Sequence, residues 1–337
     1  MTESTSFLRR FFSGNQKTFG ILGLLLLIFL ITGLVEGTYW NKANLMNMSR
    51  YIGLYGIIAI GVSFVIITGG IDLSIGSLIG LMGVIFPILL VDNEASIPVA
   101  VATVLGLSLL IGLIHGLLIT KLKLQPFLVT LCGLFIYRGI ARSVAEDQTK
   151  GFGNDFVGLK ETLVKGELFG LIPMPFVIVI LIGIVAAILL NRTTFGRYLL
   201  ALGRNEEAAR FSGINTDLMK IFAYMICSLL GGFGAIMFVL DVNGATPSKF
   251  GNFYELWAIS GAVLGGCSLR GGEGAIAGVI CGAALVQITT SAVFFLGVAD
   301  SHKFTVIGIF ILIGVIVDEL LKRYAARRRA LQHSGDA

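Results

Sequence analysis

The sequence has little charge: Asp, Glu, Lys and Arg make up 13% of its 337 residues, about half the share of a typical soluble domain. So few charges cannot cover a water-facing surface, which excludes a soluble globular enzyme and a disordered chain. Cysteine is scarce as well. Cys132, Cys227, Cys267 and Cys281 are scattered, no two at metal-ligand spacing, and all fall inside apolar runs. They read as small core residues, with no disulfide scaffold and no metal site. The three histidines, His115, His302 and His333, are far apart and form no cluster with acids. No GxxxxGK[ST] phosphate loop occurs, so the chain is not expected to bind or hydrolyse ATP itself. Proline is rare, 6 residues against 44 glycines. What is plentiful is apolar: residues of the AVILMFWYC set make up 55%, and the mean hydropathy is +0.90. Glycine at this level suits membrane helices, where it lets backbones approach closely.

Crossing the hydrocarbon core takes about 20 apolar residues. Runs of that kind occupy 19–35, 51–68, 73–91, 97–120, 127–144, 171–190, 221–240, 256–268, 274–297 and 304–317. The expected fold is therefore an all-α polytopic bundle of about ten transmembrane helices, forming one transmembrane domain over 1–337. The run at 256–268 is too short to cross unless its flanks join it, and 73–91 begins straight after Gly69-Gly70. The first run is longer than a secretory h-region and lacks a small-x-small cleavage site, so it reads as a retained span. With the N-terminus in the cytoplasm, ten spans return the C-terminus there. The basic tails 1–18 and 321–337, the loop 191–220 and most Lys and Arg then face inward, as the positive-inside rule requires. The net charge of +5 is read as an address to lipid headgroups, with no nucleic-acid partner.

Small residues recur four apart at Gly76/Gly80, Gly112/Gly116 and Gly278/Gly282, the spacing at which membrane helices pack backbone to backbone. Two segments share a GGxxLxxG pattern: 69–76 and 265–272. Gly69, Gly70, Gly76, Gly265, Gly266 and Gly272 are its structural glycines. Paired glycine interruptions in two halves of a membrane protein point to an internal repeat and a duplicated translocation unit. Asp72, between two apolar runs, must either cap a helix beginning near Leu73 or line a polar pathway. His115 reads as a helix-contact residue bonded to a neighbour. Arg138 either snorkels to the headgroups or faces the pathway.

The longest inward connection, 191–220, carries Asn205-Glu206-Glu207-Ala208-Ala209-Arg210-Phe211-Ser212-Gly213. Asn205 or Glu206 can cap a short helix through Phe211, and Gly213 can end it. Its acids come early and Arg210 late, matching the helix dipole. Such a helix is too short to stand alone in water, so it either lies on the membrane or docks into a partner.

Glu207-Ala208-Ala209 followed by Gly213 resembles the EAA…G signature of ABC-importer membrane subunits. The residues around it, from Phe195-Gly196-Arg197-Tyr198 to Gly213-Ile214-Asn215, resemble the ribose-type monosaccharide permeases more specifically. So do Thr68-Gly69-Gly70-Ile71-Asp72-Leu73-Ser74-Ile75-Gly76-Ser77, Lys121-Leu122-Lys123-Leu124-Gln125-Pro126-Phe127, Tyr137-Arg138-Gly139 and Tyr254-Glu255-Leu256. The likeness runs from about residue 45 to 320. Two departures stand out: Trp257 follows Tyr-Glu-Leu where the family usually has an acid, and Arg270 stands where it commonly has a small residue.

This resemblance implies a transport subunit of the bacterial inner membrane, not an enzyme, binding no cofactor of its own. It implies a separate ABC ATPase subunit that carries ATP and Mg, a second permease copy or similar chain, and an extracytoplasmic sugar-binding protein. Asn205, Glu206, Glu207, Ala208, Ala209, Arg210 and Gly213 would couple to the ATPase. Asp72, Ser74, Ser77, Gln125, Arg138, Glu255 and Ser268 would line the pathway for ribose or a similar pentose or hexose. Another small solute, an autoinducer-like sugar derivative or a branched-chain amino acid, is the alternative within the family. An ion-driven secondary transporter would need more acids or histidines inside the spans than Asp72 and His115.

Overall fold

A computed structural model describes residues 16–299 and positions 302, 305, 306, 308, 309, 312 and 316. The run at 304–317, apart from those positions, and the tails at 1–15 and 321–337 lie outside the described residues. The rest is a bundle of helices: α1 (Gln16–Val35), α2 (Lys42–Ile67), α3 (Ile75–Pro87), α4 (Ile97–Thr120), α5 (Pro126–Val144), α6 (Met174–Arg192), α7 (Thr194–Arg204), α8 (Glu206–Phe211), α9 (Thr216–Val242), α10 (Tyr254–Leu264) and α11 (Ile276–Phe295).

Seven described segments are long and apolar enough to cross a membrane: α2, Ile75–Asp92, α4, α5, α6, α9 and α11. In α1 only Leu22–Val35 is strongly apolar, and α10 has 11 residues, about 16 Å. With these two partial crossings the described residues hold nine of the ten expected spans, and the tenth, 304–317, lies mostly outside them. Ile75–Asp92 begins as α3, and past Pro87, which has no N–H to donate, it widens into a π-type turn at Ile88–Asp92.

The spans divide into an inner and an outer set. In α2, 83% of the most apolar stretch is buried, against 22% in α4 and 28% in both α5 and α6. The outer helices present apolar side chains outward, among them Leu110 and Ile114 on α4, Phe135 and Ile136 on α5, and Leu181 and Val185 on α6. A helix hydrophobic all round sits in a core or in lipid, and here α2 takes the first role and α4 to α6 the second.

The three four-apart glycine pairs all lie at close helix contacts. A Cβ on Gly112 would stand 2.6 Å from the Tyr224 carbonyl oxygen, and one on Gly116 2.7 Å from Ile221 Cα, so both let α9 close on α4. Gly278 and Gly282 meet the Gly261–Gly265 end of α10, and Gly76 and Gly80 meet the segment that precedes α10. α1 stands apart from the main core. Its Leu25, Ile28 and Phe29 join a second cluster with Tyr39, Met48, Ile288 and Phe295, and the Tyr39 hydroxyl reaches the Ile288 carbonyl at 3.5 Å.

The two ends of the bundle differ. One carries α7, α8 and the α4–α5 turn, joined to α9 by Lys121–Asp217 at 3.1 Å. The other carries residues 145–173, where strand β1 (Lys150–Gly151) pairs antiparallel with β4 (Gly244–Ala245), and β2 (Glu167–Leu168) with β3 (Ile172–Pro173). Lys150–Asp92 and Lys165–Asp241 ion pairs tie this layer to the helix ends below it.

Candidate functional site

Two helices begin inside the bundle. The first is α3. α2 stops at Ile67, and a left-handed Gly69 (φ 80°) turns the chain, with Gly70 N–H donating to the Val65 carbonyl at 3.2 Å. The chain then runs non-helically to Ser74. Ile71 is fastened there by the Tyr224 hydroxyl at 3.2 Å and the Thr130 hydroxyl at 3.4 Å, both donating to its carbonyl. Asp72 is fully buried. One carboxylate oxygen accepts from Ser74 N–H at 2.9 Å and Ser74 Oγ at 2.6 Å, and the other faces the Cys227 thiol at 3.6 Å. Non-helical backbone is tolerated at membrane depth when protein groups satisfy it in this way. The Ser74 Cβ lies against Gly133, seven residues into α5 and so about 10 Å from its start. α3 therefore begins well within the bundle.

The second is α10. Chain leaving α9 turns at a left-handed Asn243 (φ 63°), passes through β4 and folds down along α3 before becoming helical at Tyr254. It fits because α3 presents a glycine strip. A Cβ on Gly76 would overlap Glu255 Oε2, one on Gly83 would overlap the Phe250 ring, and one on Gly80 would stand 2.9 Å from the Phe250 carbonyl oxygen. Gly251, left-handed at φ 77°, packs against the α3 backbone in return. Arg138 closes the arrangement: Nη1 donates to the carbonyls of Pro247 at 2.9 Å and Phe250 at 2.7 Å. Of the two roles open to Arg138, snorkelling is thus not taken; its guanidinium points inward and holds this descending segment.

The N-termini of α3 and α10 consequently meet in the interior, each with a carboxylate beside it. Asp72 stands two residues ahead of Ser74, the residue that precedes α3, and Glu255 in the first turn of α10. Helix N-termini carry partial positive charge, so these acids sit where the helix dipoles favour them. Paired half-helix ends near mid-depth are the arrangement that membrane transporters use to hold solutes.

Sequence reasoning singled out His115 as a helix-contact residue, but not the groups gathered around it. His115 is buried on α4 with Nε2 2.7 Å from the Tyr137 hydroxyl, and the Tyr224 ring stands edge-on to it at 6.2 Å. With Thr130 and Cys227, these residues surround the approach to α3 from α4, α5 and α9. Their common signal was a polar side chain within an apolar run, which was followed for His115 and not for the tyrosines.

Of the residues proposed for a pathway, the structure gathers Asp72, Ser74, Ser77, Arg138 and Glu255 around α3. Ser268 lies in the α10–α11 turn, where its N–H donates to the Glu273 carbonyl at 3.1 Å and its hydroxyl accepts from Arg270 N–H at 3.3 Å. Gln125 is exposed at the far end, lining a cleft of about 620 Å³ with Lys123, Glu207, Arg210 and Phe211. Arg270 is exposed, while Trp257 packs 6.3 Å from the Tyr55 ring beside a small cavity of about 40 Å³.

The two GGxxLxxG segments both end helices, in registers one residue apart. In the first the left-handed residue is Gly69, the first glycine; in the second it is Gly266, the second glycine, with Cys267 N–H returning to the Ala262 carbonyl at 3.0 Å. The following helix starts at Ile75 in one case and Ile276 in the other, so the second turn is also longer.

α8 forms over Glu206–Phe211. Asn205 caps it, its Oδ1 accepting from Ala208 N–H at 2.9 Å. Gly213 ends it at φ 84°, with Ile214 N–H donating to the Ala209 carbonyl at 3.1 Å. Six residues do not hold a helix by themselves, and charge fastens this one to α9. Lys220 Nζ donates to both Glu206 oxygens at 2.7 and 2.8 Å, while Arg210 reaches Glu206 at 3.3 Å and Thr216 Oγ1 at 3.2 Å. Ala209 faces inward, and Phe211 is 91% exposed at the tip.

Residues 44–315 match the family described as branched-chain amino acid transport system / permease component. The ribose import permease protein RbsC of Escherichia coli (strain K12) is 35% identical over 323 residues, 94% of this chain and 99% of that protein. The galactose/methyl galactoside import permease protein MglC of the same organism is 31% identical over 336 residues, covering 93% and 99%. Its xylose transport system permease protein XylH is 29% identical over 367 residues, covering 92% and 93%. No solved structure matches the chain. The chain is a multi-pass membrane protein that belongs to this family of transport permeases, among its ribose-type members.

Proposed function

We propose that this chain is the membrane-spanning permease of an ATP-driven ABC importer, and that it moves a monosaccharide, ribose or a similar pentose or hexose. The carrying observation is α8: a capped helix clamped to α9, with Phe211 standing free beside a cleft on one face of the bundle. That is the form of a docking element for a motor subunit. The names of the relatives, which include ribose, galactose and xylose systems, favour a sugar as cargo.

In this reading the α8 face is cytoplasmic, as are both termini, and the protein sits in a bacterial inner membrane. Separate ATPase subunits hold ATP and Mg and dock at 205–213. A binding protein delivers sugar to the face carrying 145–173, and a second permease copy completes the pathway. The paired ends of α3 and α10 line it, with Asp72, Ser74, Ser77, Arg138 and Glu255 offering acceptors and a donor to a neutral polyhydroxylated solute. ATP binding draws the ATPase subunits together, and the pathway exchanges which side is open. Reconstituted complex in proteoliposomes should accumulate a radiolabelled pentose or hexose only with ATP. The absence of ATP-dependent uptake for every pentose and hexose tried, or competition by excess branched-chain amino acid, would overturn the assignment.

A further inference from the structure

Three backbone segments meet at one point on the α8 face. The first is the end of α2, whose Ile67 carbonyl accepts Gly272 N–H at 2.8 Å. The second is the α10–α11 turn that supplies this donor, with left-handed Gly271 (φ 85°) and Gly272 (φ 73°). The third is Gly203, next to last in α7. A Cβ on Gly203 would collide with the Ile67 carbonyl oxygen and Gly272 N. A Cβ on Gly271 would stand 2.7 Å from the Gly203 carbonyl oxygen and 2.8 Å from Gly69 N, and one on Gly272 2.7 Å from Arg204 N. Main chain meets main chain in each direction, and the side-chain atom closest to Gly272 is Arg204 Cγ, at the root of that side chain.

Such a contact transmits displacement differently from ordinary packing. A side chain at an interface can change rotamer and absorb a small shift, whereas close-packed backbone must move as a body or separate. Gly203 is two residues from Asn205, the cap of α8, and Gly69 is three from Asp72. The Gly272–Ile67 hydrogen bond links the end of α2 to the turn that follows α10. We infer that Gly203, Gly271 and Gly272 form a backbone joint through which a displacement of α8 reaches both interrupted helices together. It shifts the 68–74 approach to α3 and the terminus of α10 as one unit. Gly203 is a positioning residue: it touches no solute and acts through the two turns. The inference rests on α8 being the docking element, and adds where its motion goes.

The test uses the full complex of permease, ATPase subunits and binding protein in nanodiscs and proteoliposomes. Gly203→Ala inserts a methyl group into the joint, and Gly106→Ala, on the outward face of α4 with open space around it, is the control. The expected result is that sugar moved per ATP hydrolysed falls by roughly tenfold or more in Gly203→Ala, within the usual span of coupling strengths, and holds in Gly106→Ala. An unchanged ratio in Gly203→Ala overturns the joint. Should Gly203→Ala fail to fold, hydrogen exchange on the unmodified complex decides. Adding a non-hydrolysable ATP analogue should alter exchange at 69–74 and 267–272 together. A response in only one of those segments, or in neither while 205–213 is protected by the ATPase subunits, overturns the joint and leaves the docking role of α8 standing. No protection of 205–213 on assembly removes that role, and the joint with it.

Discussion

Replacing Arg138 with Met should loosen the descending segment before α10 and abolish transport. The guanidinium contributes two donors from one nitrogen, to the Pro247 and Phe250 carbonyls. Hydrogen bonds between membrane helices are worth about 0.6–1.7 kcal/mol each, so the pair contributes roughly 1–3 kcal/mol. Charge adds to this. Arg138 Nη1 rests on Gly80 and the Glu255 carboxylate on Gly76 of the same strip, one turn apart and so about 6 Å. Opposite charges at that spacing attract by about 3 kcal/mol at an effective dielectric of 20. Glu255 keeps the positive end of α10 beside it when its partner is lost, which returns part of that energy. The net expectation for Arg138→Met is a loss of about 2–4 kcal/mol, read from reversible unfolding in mixed micelles, together with loss of ATP-dependent uptake. The Coulombic share is separable. Glu255→Gln alone should cost less than Arg138→Met, and the double variant should recover at least about 1 kcal/mol relative to the sum of the singles. Strict additivity, or wild-type uptake by Arg138→Met, would show that the segment is held by something other than this guanidinium.

Other substitutions probe the remaining parts. Phe211→Asp alters a side chain that touches almost nothing in this chain, so stability should hold within about 0.5 kcal/mol, while binding of the ATPase subunit weakens at least tenfold, about 1.4 kcal/mol; unchanged capture in a surface-immobilised assay would remove Phe211 from the interface. Gly213→Ala meets no neighbour but must take a left-handed φ, at about 1 kcal/mol, and hydrogen exchange at 209–214 should quicken; Gly213→Pro should also break assembly and uptake, and normal values of both would sink the docking role of α8. Tyr137→Phe removes the partner of His115 Nε2 and should destabilise by about 0.6–2 kcal/mol, with the effect absent in a His115→Leu background.

Much of this was legible in the sequence, for identifiable reasons. The spans follow from length and apolarity alone, and α4 begins and ends at the residues its pattern indicates. α8 was legible residue by residue, because Asn205, the early acids and Gly213 are capping chemistry that acts locally. The descent of 243–253 was not. Those residues fall between the apolar runs 221–240 and 256–268, and what seats them is a glycine strip on α3 and an arginine on α5, neither of which is near in sequence. The slip of one residue between the two glycine segments has a similar origin. The pattern matches letters, whereas the helix end is set by whichever glycine takes the left-handed turn, Gly69 in one and Gly266 in the other. Gln125 and Asp72 share a family likeness, yet one lies at the surface cleft and the other in the interior, a distinction that depends on where α5 begins.

The separate cluster around α1 has a consequence for biosynthesis. α1 emerges from the ribosome before the other described helices, and its packing partners on α11 lie far along the chain; the Tyr39–Ile288 contact spans 249 positions. At about 5–20 residues per second, the first helix waits tens of seconds in the bilayer before the surface it belongs to exists. During that interval the face bearing Phe29 is open to lipid, to the insertion machinery or to an α1 from another nascent copy. Assembly of this bundle therefore closes on its oldest element, and a shortened chain that stops before α11 would leave that helix inserted but undocked.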